Sequence, residues 1–267
     1  MSLAATWLSW SSLGIPRYLA RSAWHQHAPF AEWLIETHRP ASLVELGTYS
    51  GFSYAAFCDA VQRNGLPTRC SAIDTWRGDE HAGFYGEQVF TAFRKYHDAR
   101  YAAFSQLIRA TFDDALATFP DRSIDLLHID GRHLYEDALH DFSTWRPKLS
   151  ARAIVLFHDT AVLTRNFGVH RLWKELSATY PHFQFTHGHG LGVLGVGDQR
   201  TQALIDLYAA EGTDEGQRIR STYAHLGRAI SDHYESARLK AAMSEREKEI
   251  DRLRKVIAAT DNKSMPA

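Results

Sequence analysis

IDLLHIDGRHLYED, residues 124–137, is the stretch on which the fold turns. Ile124, Leu126, Leu127 and Ile129 make a near-continuous apolar run, as expected of a strand buried on both faces. Asp130, Gly131 and His133 then end it, and helical spacing takes over at 134–146. A buried strand needs none of these three residues. Placed just past its end they read as parts of a site, because open α/β sheets bind ligands outside the carboxyl ends of their strands.

The same grammar repeats on either side. Strands predicted at 42–47, 70–74, 105–109, 124–129 and 153–158 alternate with helical patterns at 51–63, 84–98, 112–118 and 134–146. Alternation at these lengths implies right-handed crossovers and a mostly parallel sheet covered on both faces. After a helix at about 167–179, strands at 182–187 and 191–196 are joined by the short linker GHG, so they read as an antiparallel hairpin at one end of the sheet. Residues 16–39 read as a leading helical segment with Trp24, Phe30, Trp33 and Leu34 on its buried face. The expected units are an N-terminal helical segment (1–40), the α/β domain (41–212) and a long C-terminal helix (213–267).

That last helix carries a seam. Leu239, Met243, Arg246, Ile250, Leu253 and Ile257 follow one another at steps of four and three, a heptad pattern with one arginine on it. One reading is a solvated amphipathic helix packed on its own domain. The other, preferred here, is a coiled coil through which the chain forms a homo-oligomer.

Bulk composition narrows the class. With 267 residues and 45% apolar content there is material for a large core, and a net charge of −1 gives no argument for a nucleic-acid or membrane-surface partner. Cys58 and Cys70 cannot form a disulfide framework. No stretch approaches the roughly 20 apolar residues of a membrane span, and the N-terminal MSLAATWLSW has no basic region ahead of its apolar part. The expected compartment is the cytoplasm.

VELGTYSGFS (44–53) joins the first strand to the first long helix. Gly47 and Gly51 permit a tight turn and close approach of a ligand, but the G-x-x-x-G spacing lacks the dinucleotide fingerprint and the phosphate-loop lysine. Glu45 is placed to accept a bond from an ammonium group, and Asp74, ending the second strand, to hold the hydroxyls of a ribose. An amino-acid-bearing nucleoside without a pyrophosphate, S-adenosylmethionine, satisfies both. The plainer alternative is an ordinary turn with a solvated acid.

The fifth strand ends as the fourth does, with His158 and Asp159. Asp130 and Asp159 could supply oxygen ligands to a hard cation such as Mg²⁺, which would lower the pKa of a hydroxyl, and His133 could accept its proton. Each aspartate could instead cap a helix or turn. His128 reads as a core histidine, and His140 and Asp141 as surface or supporting groups. HGHG (187–190) has the look of a metal-binding run, yet its place in the hairpin linker puts it remote from the site.

VELGTYSGFS, AIDTWRGDEHAGFYGE, SIDLLHIDGRHLYEDALHDFSTWRPKL and IVLFHDT, in this order, resemble class I S-adenosylmethionine-dependent methyltransferases. Within them they are most similar to the branch of macrolide-sugar O-methyltransferases and cephalosporin-hydroxylase-like proteins, domains found beside glycosyltransferases in bacterial polysaccharide loci. The resemblance covers about 40–210 and implies a Rossmann-like seven-stranded sheet with its last strand antiparallel. It implies methionine contacts at Glu45, Gly47, Thr48, Gly51 and Ser53, a ribose contact at Asp74, a further cofactor contact at Thr75, and Asp113 near the adenine. It carries metal ligation to Asp130 and Asp159, and the base to His133. One departure stands out: metal-dependent relatives commonly place a second carboxylate or amide beside the strand-five aspartate, where this chain has His158 or Thr160.

The segment 75–87 reads as an active-site lid, with Trp76 and Tyr85 to stack on a sugar or adenine and Asp79, His81 and Glu87 to bond hydroxyls. The expected activity is O-methyl transfer to a sugar or glycan. The alternatives are a small-phenol O-methyltransferase, or a non-catalytic scaffold that dimerises beside a glycosyltransferase.

Overall fold

The computed structural model describes residues 7–79, 83–164 and 166–261. Two 3-10 turns, Ser11–Leu13 and Ala23–His27, lead into α1 (Ala28–His38). Then come β1 (Ser42–Leu46), α2 (Phe52–Arg63), β2 (Arg69–Asp74) and a two-stranded hairpin, β3 (Gly78–Asp79) with β4 (Gly83–Phe84). They are followed by α3 (Glu87–Arg100), β5 (Ser105–Arg109), α4 (Phe112–Leu116), β6 (Ile124–Ile129), α5 (Tyr135–Trp145) and β7 (Leu149–His158). The chain continues through α6 (Val169–Ser177), β8 (His182–Phe185), β9 (Leu191–Gly195), α7 (Gln202–Ala209) and α8 (Asp214–Asp261).

Seven strands form one sheet in the order β5-β2-β1-β6-β7-β9-β8. The pairs from β5 to β7 are parallel, while β9 is antiparallel to both its neighbours. The order reverses between β1 and β6, and the crevice there is where such sheets take ligands. Successive residues serve opposite faces. Leu43, Leu126 and Leu156 pack into one core with α1, α2 and Trp24, Phe30 and Trp33, whereas Val44, Leu127 and Val155 pack into a second with Phe142, Trp145 and Trp173.

Two boundaries differ from expectation. The leading helix starts at Ala23 and not near 16, because Ser22, in extended conformation, accepts a bond from the Trp24 N–H and caps it. Strand β7 begins at Leu149, four residues early, because Ser150 donates to Asp125 (2.5 Å) and Arg152 to the His38 carbonyl (2.5 Å), so the polar start is bonded to its neighbours.

Helix α8 has 48 residues, about 70 Å at 1.5 Å per residue. Its first part is anchored through buried Ile219, Tyr223 and Ile230. Gly227 permits the close approach, since a Cβ there would lie 2.2 Å from the Gln26 carbonyl oxygen. From 235 to 255 every residue is exposed, so that part packs on nothing in its own domain. Among the described residues, no helix is long and apolar enough to cross a membrane.

Candidate active site

The turn after β1 is clamped from below. Asp74, at the end of β2, accepts the backbone N–H groups of Thr48 and Tyr49 (2.8 Å each) on one oxygen and that of Trp76 (2.6 Å) on the other. Gly47, at φ +89°, passes so close to β6 that a Cβ would lie 2.1 Å from the Asp130 carbonyl oxygen. Gly51, at φ +83°, leaves room for the Phe93 ring, which a Cβ would meet at 2.2 Å. Helix α2 starts without a side-chain cap, leaving the N–H groups of its first turn for a ligand. The Thr48 hydroxyl is buried and has no partner, and Thr48 lines the cavity above. This uncapped turn and orphan hydroxyl fit the polar amino-acid end of S-adenosylmethionine. Gly47→Ala combines left-handed strain with overpacking against backbone, about 3 kcal/mol together. Thermal denaturation should show a fall of about 6–12 °C, and an unchanged midpoint would refute the close approach.

Glu45 lies beneath the turn and not in the cavity wall. It is fully buried and accepts from His128 Nδ1 (2.9 Å), while His128 Nε2 accepts from the Trp24 indole (3.2 Å). Burial raises the Glu45 carboxyl against the pull of His128. His128 is thus the core histidine expected of it, and Glu45 supports the turn from inside.

The strand ends bring together four groups. His158 Nδ1 lies 3.2 Å from Asp130 Oδ1 and 3.3 Å from Asp159 Oδ2, and His158 Nε2 lies 3.1 Å from the Gly188 carbonyl oxygen. Both ring nitrogens therefore face oxygen acceptors, which calls for an imidazolium. Burial opposes that charge, but the two carboxylates outweigh it and hold the His158 pKa well above the ordinary value. The same pairing holds Asp130 and Asp159 below the ordinary carboxylate range, again against burial. Asp159 also receives His189 Nδ1 at 3.2 Å and has His133 Nδ1 at 3.5 Å. The His133 ring stacks on Phe167 with centroids 4.4 Å apart.

Ligand atoms of Asp130, His133 and Asp159 lie within 4.8 Å of one another, close enough to share a cation. Mg²⁺ takes oxygen ligands, commonly one or two carboxylates with water completing the shell. Asp130 and Asp159 are the two that would hold it, and the single positive His158 ring offsets one of their two charges. The Thr160 hydroxyl accepts from Gln184 Nε2 (3.1 Å) and faces that way.

A cavity of about 850 Å³ spans both halves of the site. It is lined by Gly47, Thr48, Ser53, Asp74, Thr75, Tyr85, Asp130, His133, His158 and Asp159 among the residues expected from sequence. Other expected residues lie elsewhere. Asp113 is exposed and bonded to His140 (2.9 Å), and its neighbour Phe112 reaches the cavity instead. Trp76 is buried against Phe90 (4.7 Å) and donates to the Tyr49 carbonyl, so it has no face left for a sugar. Glu87 forms a two-pronged ion pair with Arg109 (2.9 and 2.6 Å) on the surface. Asp79 sits in β3, and His81 lies outside the described residues.

HGHG is the larger correction. His189 lines the cavity and Gly188 accepts from His158, so this run stands at the site and not remote from it. Arg21, Trp24 and His25 from the N-terminal segment, and Tyr234 and Glu235 from α8, also line the wall. No local motif marked them.

Residues 44–160 match the methyltransferase domain family Methyltransf_24. The matched stretch takes in the glycine turn after β1 and the ends of β6 and β7, so this part of the chain is similar to a methyltransferase domain. Over 186 residues, 70% of its length, the chain is 50% identical to the uncharacterized protein y4gI of Sinorhizobium fredii, and it spans about a fifth (20%) of that protein. It also superposes on the crystal structure of cofactor-bound Rv0187 from MTB (TM-score 0.51, 14% identity, covering 71% of this chain and 86% of that one). A candidate caffeoyl-CoA O-methyltransferase from Staphylococcus aureus gives TM-score 0.50 at 14% identity, covering 67% and 84%. At such identity these two likenesses are of fold alone.

Proposed function

We propose that the chain transfers a methyl group from S-adenosylmethionine to a hydroxyl of a sugar or glycan, with His133 taking the hydroxyl proton. The observation that carries this reading is the placement of His133, backed by Asp159, in one cavity with the glycine turn and the free Thr48 hydroxyl. S-adenosylmethionine bound there would supply the electrophilic methyl group on its sulfonium. The acceptor oxygen gains that carbon as the sulfur–carbon bond breaks, and the proton passes to His133. Asp159 keeps the imidazole oriented, and the positive charge that develops on it falls beside that carboxylate. The nature of the wall supports a sugar. Arg21, Arg132 and His189 offer hydrogen bonds to hydroxyls, and Phe167, Tyr85 and Tyr234 offer flat faces.

Calorimetric titration of S-adenosylmethionine into the purified protein, followed by turnover on sugars and oligosaccharides, tests the reading. Binding and methyl transfer to a hydroxylated sugar are expected. Transfer to phenols only would overturn the acceptor class. Failure of a folded protein to bind the cofactor would favour a scaffold.

A further inference from the structure

The exposed length of α8 beyond Tyr234 is a helix with an apolar face and nothing on it. Leu239 is 55% exposed, Met243 62%, Ile250 48% and Leu253 52%, on a single seam far from any core. Isolated helices are marginal in water, and a stretch of about 27 residues with such a face gains most by burying it against another helix. What covers it is legible in the charges beside the seam.

In heptad register Ser236, Met243 and Ile250 take position a, and Leu239, Arg246 and Leu253 take position d. The flanking g positions are then Glu235, Ala242 and Glu249, and the e positions Lys240, Glu247 and Arg254. In a parallel pair of identical helices, each g faces the e five residues on in the other strand. The contacts become Glu235 with Lys240 and Glu249 with Arg254, both opposite in charge, and Ala242 with Glu247, neutral. The arginine at d, Arg246, meets the other strand's Glu247 at e. In an antiparallel pair centred on Glu247, e faces e: Glu247 meets itself and Lys240 meets Arg254, so both contacts repel. Within its own helix Glu235 pairs with Arg238 (2.8 Å), Glu249 with Arg252 (3.4 Å) and Arg254 with Asp251 (3.6 Å), exposed contacts weak enough to be exchanged for ones across an interface.

We infer that α8 pairs with α8 of a second copy of this chain as a parallel, in-register two-stranded coiled coil over about 236–255. Arg246 with the other strand's Glu247 fixes the register at one layer, as single polar core positions do in two-stranded coils. The pairing begins directly after Tyr234 and Glu235, which line the cavity, so both cavities lie at the same end of the rod.

Sedimentation velocity on the full chain at micromolar concentration is expected to show a dimer, and Ile250→Glu a monomer with unchanged near-ultraviolet circular dichroism. Glu249→Lys should raise the dimer dissociation constant by about tenfold, and Glu249→Lys with Arg254→Glu should restore it, since the g-to-e contacts are again opposite in charge. Leu253→Cys should cross-link to itself under mild oxidation, because like d positions meet only in a parallel pair. A wild-type monomer at about 100 µM, a dimer indifferent to Ile250→Glu, a trimer, or failure of the double charge swap to rescue would each overturn the proposal. So would the absence of a Leu253→Cys cross-link in a demonstrated dimer, which would mean an antiparallel arrangement.

Discussion

His133→Ala is expected to lower kcat by about 10²–10⁴-fold, the usual weight of a positioned general base, with S-adenosylmethionine affinity within about twofold of wild type. The split follows from where His133 stands. It follows β6 by four residues, lies against Phe167 and Asp159, and lines the same cavity as the glycine turn and Asp74 without touching either. On the proposed reaction, losing the imidazole removes the proton's destination but leaves the turn untouched. His133→Gln should behave like alanine, since an amide keeps a polar group there but accepts no proton. Stopped-time turnover beside calorimetry reads both numbers. A fall in cofactor affinity matching the fall in kcat would reassign His133 to cofactor binding.

The sheet was legible because parallel strands buried on both faces leave apolar runs too dense for solvent-facing elements. Leu43–Leu46, Leu126–Ile129 and Ile154–Phe157 are such runs, each supplying both cores. Asp130, His133 and Asp159 were legible for the same reason: polar residues at the ends of these runs stand out. Other parts of the site were not written locally. β9 pairs with β7 in a register that sets Leu191 opposite His158, so the linker at 188–190 lands beside the β7 end. Nothing within HGHG announces that register. Likewise the α4 cap at Thr111 turns Phe112 inward and leaves Asp113 to His140, a choice of one residue that spacing alone does not resolve. Arg21 and Tyr234 come to the wall across most of the chain length, through the packing of α8 on the turn at Ala23–His27.

Of the seven non-glycine residues with positive φ among the described residues, three stand at the site. Tyr49 (φ 47°), Asp159 (φ 62°) and His189 (φ 70°) hold left-handed conformations that side chains other than glycine adopt at a cost of about 1–2 kcal/mol each. All three line the cavity. Asp159 is turned this way with its carboxylate beside His158, His189 and His133 at once, so the ion cluster compensates for the backbone conformation that creates it.

His158→Leu should therefore be the most destabilising single change at the site, by about 3–5 kcal/mol near neutral pH. It leaves Asp130 and Asp159 close together with no imidazolium between them. The pH dependence distinguishes this cause from loss of packing. His158 has its folded pKa raised well above the unfolded value of about 6.5, so its stabilisation is complete below that value and lost as pH rises through the folded one. The two aspartates have folded values held below about 3.9, so their stabilisation is complete above that and lost only on strong acidification. These are one interaction seen from both partners, and it is counted once. His27, 5.6 Å from His158, has its pKa held well below the ordinary histidine value by burial and then by His158, so it does not supply a replacement charge. In His158→Leu the facing carboxylates repel, and protonating either relieves them. Denaturant unfolding from pH 5 to 9 should show the gap between wild type and variant narrowing toward the acid end as a proton substitutes for the lost charge. It should narrow again toward the alkaline end as the wild-type imidazolium titrates. A gap that stays constant across this range would make His158 a packing residue and leave the carboxylates' charge to be balanced by something else.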